Sequence, residues 1–504
     1  MRALALLPVL LPVLLGLSGC LLGPDYVRPA IDTPATYRFN AGEATEVANT
    51  VWWEQFQDPV LNDLIAVALA ENKDVKIAAA RVDQFLGQFV TTRSGLFPQL
   101  GASFDAQRQR VAVASLPDLP AGVNPVFNTL EPALSASWEI DVFGRVRRET
   151  ESARASLLAS EEGRRATILS LVASVATAYI NLRDLDAQLV IAKETTESRS
   201  ESVRVFTARF GGGDVSQMEL AQSQSEYQAS LATIPQLEVQ IAQQEDALSV
   251  LLGRNPGDIL RGRELSDLAI PSVPAGLPSD LLERRPDVVQ AEQNLVAANA
   301  LIGAARALYF PSISLTGLFG SASGEFSKLF TGPAKIWAFA GSVSVPIFTA
   351  GSISGQVKQA EAQQQQALFQ YEETIQTAFQ EVDDALIALQ KSREQLVVLG
   401  QEVDSLKTYA RLARLRFEGG YTSYIEVLDA ERSLFNAQLS YTQTNGVVYE
   451  SVVALYKAMG GGWVVTAEQM THKDTDTPPP AGQPGEQHGR IPPNAEQSVA
   501  ELPR

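Results

Sequence analysis

The sequence predicts a mainly α protein made from one structural unit written twice, each copy placing a pair of β-strands between helices. Three observations lead there: an internal repeat, two proline-free stretches of more than sixty residues, and four short segments in which apolar residues recur at every second position.

The chain opens with MRALALLPVLLPVLLGLSGC, a basic start at Arg2, an apolar run from Ala3 to Leu17 and small residues before Cys20. This reads as a signal peptide over 1–19, too short and too broken by Pro8 and Pro12 for a spanning helix. Leu17-Ser18-Gly19-Cys20 resembles the bacterial lipobox, whose cysteine is acylated and becomes the mature N-terminus, so a covalent lipid on Cys20 is the one prosthetic group expected. Leu21 follows where an aspartate would resemble an inner-membrane retention signal, which favours the outer membrane. Beyond the signal, no apolar run reaches the roughly 18 residues of a membrane helix.

Composition removes several classes. A net charge of -18 supplies no basic face for nucleic acid. Cys20 is the sole cysteine, and the only histidines, His472 and His488, lie in a Pro/Gly/Gln-rich tail. That leaves no His/Cys metal site and no Cys–His nucleophile, and an enzyme is not expected.

The repeat is carried by two colinear sets. Asp74-Val75, Arg93 and Phe97-Pro98 return 213 positions later as Asp287-Val288, Arg306 and Phe310-Pro311. Arg209-Phe210, Gly212-Gly213, Ser216 and Glu219 return 207 positions later as Arg416-Phe417, Gly419-Gly420, Ser423 and Glu426. Within each half the predicted order is helix, two strands, very long helix, shorter helix. The first helix is expected from about Val60 to Leu96, ended by Phe97-Pro98. Strands follow at about 99–110 and 129–142, and in the second half at about 312–322 and 336–348. Their period of two is clearest in Leu130, Pro132, Leu134, Ala136, Trp138, Ile140 and Val142, and in Trp337, Phe339, Gly341, Val343, Val345 and Ile347. The stretches Arg145–Phe210 and Ser352–Phe417 contain no proline, and sixty-odd residues at 1.5 Å per residue make rods of about 100 Å. Four alternating strands cannot close a barrel alone. If they enter a membrane, other chains must complete the wall, since open edges are forbidden there. A small soluble sheet capping a coiled coil is the other reading the strands allow.

Gly23-Pro24-Asp25-Tyr26-Val27-Arg28-Pro29, WWEQFQDPVLNDLIAVALAEN from Trp52, GLPSDLLERRPDVVQAE from Gly276, AFQEVDDAL from Ala378 and the two Gly-Gly stretches together resemble the TolC-type outer-membrane efflux proteins, in the lipoprotein branch that includes OprM and the NodT-like proteins. The likeness runs to about Val464. It implies a trimer whose twelve strands, four per chain, form one barrel in the outer membrane of a Gram-negative cell. That barrel would stand on a long periplasmic α-helical barrel with an equatorial domain near Trp52-Trp53, Leu251–Arg285 and Val452–Trp463. The implied organisation is a lipidated segment over 20–59, a first repeat over 60–253, a linker over 254–286, a second repeat over 287–463 and a disordered tail over 464–504. The implied partners are a periplasmic adaptor and an inner-membrane pump, often of the resistance-nodulation-division type. The implied function is passive export of drugs and other small toxic compounds. A periplasmic coiled-coil lipoprotein, or within the family a metal-efflux or type I protein-secretion duct, are the alternatives.

The resemblance also places a periplasmic gate at the glycine turns. Its two acidic positions match Glu426 and Asp429, spaced i, i+3 on one helix face, where three-fold symmetry would make carboxylate rings that favour cations. A tyrosine that ties the family's gate corresponds to Phe417 and an arginine to Thr422, so both polar ties are missing. In the first repeat Glu219 matches Glu426 while Gln222 replaces Asp429. The plainer reading of these acids is complementation of a helix N-terminus, and of Gly212, Gly213, Gly419 and Gly420 a C-cap turn.

Overall fold

The computed structural model describes residues 21–31, 34, 37–39, 51–110, 112, 125–271, 282–460, 464, 465 and 468. Cys20, the signal segment and most of the tail lie outside the described residues. A 3-10 turn, Trp52–Phe56, leads into α1 (Pro59–Glu71) and α2 (Lys73–Ser94). The one helix expected from Val60 to Leu96 is therefore two. Asn72 leaves helical geometry at ψ 136°, and its side chain accepts from the amides of Asp74 and Val75 while donating to the Leu251 carbonyl. The break is an N-cap, a contact of about 1 kcal/mol that also pins the helix start to the chain's equator.

Next come β1 (Gln99–Arg110), β2 (Val126–Ile140), α3 (Arg145–Gly212) and α4 (Gln217–Leu251). The second half repeats the order with α5 (Pro286–Ala307), β3 (Ser312–Ser321), β4 (Lys335–Ser344), α6 (Ser352–Glu418) and α7 (Tyr424–Ala458). The strands form one antiparallel sheet in the order β1-β2-β3-β4. β2 stops at Ile140 instead of about 142, because the Asp141 carboxylate accepts from the amides of Val146 and Arg147 and draws the chain into the start of α3. β4 ends at Ser344 instead of about 348, just before Pro346, which has no N–H to continue the ladder.

The duplication is visible in the backbone. Gly144 and Gly351, Gly213 and Gly420, and Gly253 and Gly460 all have positive φ, and each pair lies 207 positions apart. They open the long helices, close them, and close the shorter helices.

α3 (68 residues) and α6 (67 residues) are the two rods, each about 100 Å at the helical rise. One correction concerns α3: it holds an 18-residue window apolar enough to cross a bilayer, where no such run was expected. Some 56% of that window is buried within the chain, because this stretch of α3 is the centre of the main core. There Trp52 stacks on Tyr456 at 5.0 Å, and Phe56 packs against Tyr449. The buried Asp58 carboxylate accepts from the Tyr179 hydroxyl at 2.8 Å and from the amides of Val60 and Arg263. A side chain at Gly262 would sit inside that carboxylate, so glycine alone fits. Leu252, Ile259, Leu265 and Val452 join the same core as Trp52.

Candidate functional site: channel wall and turn-end gate

The sheet sorts most of its side chains by chemistry, with Leu318 and Ile336 on the otherwise polar face and Arg108 and Asn128 at one end of the otherwise apolar one. Directly paired residues share a face. Leu100 pairs with Ala136, Leu134 with Phe319, Phe319 with Trp337, and Ile313 with Val343, so these residues and Phe104, Pro132 and Phe339 lie on one side. On the other side Ser103, Asp105, Gln107, Glu131, Ser135, Ser137, Ser314, Thr316 and Ser342 follow the complementary register. The apolar face is bare: Leu100 is 84% exposed, Trp337 70% and Phe339 79%. Several such rings at about 2 kcal/mol each are too costly to leave in water, so this face needs a non-aqueous neighbour. Among the described residues β1 and β4 each pair on one side only, and the sheet stays open.

At the other end of the rods the two glycine turns stand side by side. Each is a Schellman turn. In the first, Gly213 donates to the Phe210 carbonyl and Asp214 to Arg209; in the second, Gly420 donates to Phe417 and Tyr421 to Arg416. Gly212 is the last residue of α3 and Gly419 the C-cap of α6, where a Cβ would press on the Tyr421 ring. The C-cap expectation for the four glycines describes this geometry.

The two turns are joined by an aromatic cluster. Phe417 stacks on Phe206 and packs against Tyr424, and Phe206 lies 3.9 Å from the Tyr424 ring. Val427, Leu428, Ala430 and Ala413 complete this small core. Burial pushes the Tyr424 hydroxyl above its ordinary pKa. The position where the resemblance placed a polar tie is thus occupied by an apolar one.

The acidic positions differ between the turns. Glu219 forms a full capping box with Ser216: its carboxylate accepts from the Ser216 amide at 2.8 Å, and the serine hydroxyl accepts from the Glu219 amide. Ser423 and Glu426 have the same spacing but form no box. Glu426 instead accepts from the Thr422 hydroxyl and lies 3.7 Å from the Arg416 guanidinium. In the first repeat Val215 stands where Thr422 stands, and it has no donor to compete with the cap. Asp429 is exposed and accepts from Arg432 at 2.8 Å. Each acid of this face therefore carries an arginine from its own chain, which the sequence reading missed. The i, i+3 spacing of Arg432 from Asp429 was the available signal.

With this geometry in view, comparison with known proteins is specific. The family model described as outer membrane efflux protein matches residues 64–254 and 277–461, one segment for each repeat. The chain belongs to the outer membrane efflux protein family. Its relatives include a toluene efflux pump outer membrane protein, TtgC of Pseudomonas putida, 37% identical over 92% of this chain and 97% of that one. The cation efflux system protein CusC of Escherichia coli is 36% identical over 90% of this chain and 97% of its own length. Among solved structures, the open state of the Neisseria gonorrhoeae MtrE outer membrane channel superposes with a TM-score of 0.80 at 32% identity, covering 88% of this chain and 99% of that one. The Campylobacter jejuni CmeC outer membrane channel gives 0.82 at 28% identity, covering 88% and 95%. This efflux protein is thus an outer-membrane transport component of Gram-negative type.

Proposed function

We propose that three copies of this efflux protein assemble into one passive duct, with twelve strands closing a barrel in the outer membrane and the rods forming a periplasmic tube. The observation that carries the reading is the sheet itself: among the described residues it has four strands, one mainly apolar face, one mainly polar face and two unpaired edges. A membrane sheet must close, and a single copy does not close it. Two copies would give eight strands, whose interior side chains fill; three give twelve and room for a polar bore.

The polar face then lines the bore, and the turn end, about 100 Å away, is the narrow periplasmic mouth. Glu426 and Asp429 line that mouth and bias it toward cations, while Phe417 and Phe206 hold the two turns together. No bond is made or broken in transport, so the protein is not an enzyme and needs no cofactor or metal. Energy comes from an inner-membrane pump, of the resistance-nodulation-division type, joined through a periplasmic adaptor. Relatives named for toluene and for cations are about equally similar, at 37% and 36%, which supports reading cargo choice as a property of the pump.

Cys20 is acylated and holds the chain at the outer membrane. Leu21, the residue after it, lies against Gly144 at the junction of β2 and α3, where a lipid chain has the membrane within reach. Native mass spectrometry of detergent-extracted protein tests the assembly: three copies per particle are expected, and a stable folded monomer overturns it. Palmitate incorporation lost in Cys20→Ala supports the anchor, and equal incorporation in both proteins refutes it.

A further inference from the structure

Arg148, near the start of α3, is an arginine with its side chain only 2% exposed. Its partners are mostly not on its own helix. Nε donates to the Leu22 carbonyl at 3.0 Å, and Nη2 donates to the Gly23 carbonyl and to the Asp25 carboxylate at 2.8 Å. Only Glu151, at 2.8 Å from Nη1, belongs to α3. From the opposite wall Asn299 of α5 donates to the Pro24 carbonyl at 3.0 Å. The segment then runs on to α5 and α6: the Tyr26 hydroxyl donates to Glu292, Arg28 pairs with Glu292 at 3.0 Å, and Arg28 also donates to the Tyr371 hydroxyl.

The path is cut for backbone. A Cβ at Gly303 would lie 2.4 Å from the Leu22 carbonyl oxygen, and one at Gly144 would lie 2.7 Å from the Leu21 side chain. The internal repeat supplies a control. The counterpart of Arg148 is Gly355 and that of Gly303 is Val90. The counterpart of Gly144 is Gly351, which shares its positive φ but has nothing nearer than 3.8 Å. Among the described residues the path therefore exists once, at the seam between α3 of the first repeat and α5 of the second.

We propose that Leu21–Asp25 is a strap clasped across this seam, with Arg148 as the positioning residue that fixes the anchored end of the chain at the periplasmic margin of the sheet. The proposal rests on the reading of Cys20 as the lipidated residue, and adds that the clasp, not the lipid, sets where the anchor sits. A buried guanidinium that loses its partners is strongly destabilised, so the strap and Arg148 hold each other. Lysine cannot replace it, because one ammonium cannot reach four acceptors spread around a planar fork.

The test uses the full chain in detergent, with a nitroxide on Pro24→Cys. Pro24 is exposed and lies within the strap, and acylated Cys20 offers no competing thiol. With Arg148 present, a broad, ordered electron paramagnetic resonance line and slow chymotryptic cleavage after Tyr26 are expected. Arg148→Gln should sharpen the line and speed that cleavage at least tenfold while the assembly keeps its size. Arg148→Lys should restore little. A chain given a non-lipoprotein leader, so that it begins at Leu21, should keep the ordered line; a mobile label there overturns the clasp, as does an ordered label in Arg148→Gln. If Arg148→Gln fails to assemble, Asn299→Ala should speed cleavage about threefold, and unchanged cleavage overturns the proposal. Absence of lipid from the native protein refutes the anchor alone, because the label reads the clasp independently.

Discussion

Phe417 stacks on Phe206 with ring centroids 5.9 Å apart and planes 19° from parallel, joining the end of α6 to the end of α3. These residues come from different repeats, and their contact, with that of Phe206 and Tyr424, ties the two turns together. Phe417→Ala should destabilise this end by roughly 2–3 kcal/mol, somewhat under the usual cost of a core phenylalanine because the ring is only half-buried. Hydrogen exchange at 413–430 should quicken while exchange around Trp52 and Tyr456 stays as it was.

The Glu426 carboxylate is held by Thr422 and Arg416 where its counterpart Glu219 caps a helix. Thr422→Val reproduces the first repeat and should release Glu426 to the Ser423 amide, completing a capping box. Slower amide exchange at Ser423 is the expected sign. Glu219→Ala should cost about 1 kcal/mol of local stability, and Glu426→Ala less, since only the former removes a cap.

Neutralising the acids together, in Glu426→Gln with Asp429→Asn, leaves Arg416 and Arg432 uncompensated. The reversal potential in a salt gradient should then shift toward anion preference. An unchanged reversal potential would return both acids to the role of helix-end complements.

Asp184 is a buried carboxyl between α3 and α7. One oxygen accepts from Gln188 at 2.7 Å, and the other has no partner among the described residues. Gly446 of α7 packs on it, and Glu450 of α7 is the titratable neighbour across the contact. On α3 itself Arg183 and Asp186 turn away, toward the Arg263 carbonyl and Arg261. Toward α4, Glu245 is taken by Arg261. Burial pushes the Asp184 pKa up to about 6, and the folded chain favours its neutral form. The sign follows: this group's contribution is greatest below the unfolded value near 3.8 and is lost as pH rises through about 6, by about 3 kcal/mol. Asp184→Asn should flatten that part of the Tm against pH curve, leaving the smaller slope due to Glu450.

Much of this architecture is legible because periodicity and duplication are local properties. The strand alternation around Trp138 and Trp337, the absence of proline from the rods, and the paired Arg-Phe…Gly-Gly turns each need only a short window of sequence. What stayed hidden depends on distant partners. Asn72 breaks a helix because its amide reaches Leu251, and the surrounding residues are good helix formers that give no warning. Arg148 reads as one charge on a solvated helix until Leu22 is placed beside it. The box at Ser216 and Glu219 and its absence at Ser423 and Glu426 share one pattern, and a threonine hydroxyl one residue upstream decides between them.

The central claim is that copies of this chain enclose a conducting pore. Purified protein added to a planar lipid bilayer tests it most directly. Discrete, cation-preferring conductance steps are predicted for the native protein, and larger steps with weaker cation preference when Glu426, Asp429 and Phe417 are replaced by Gln, Asn and Ala. An assembled, membrane-inserted oligomer that passes no current in the native or the substituted form would contradict it.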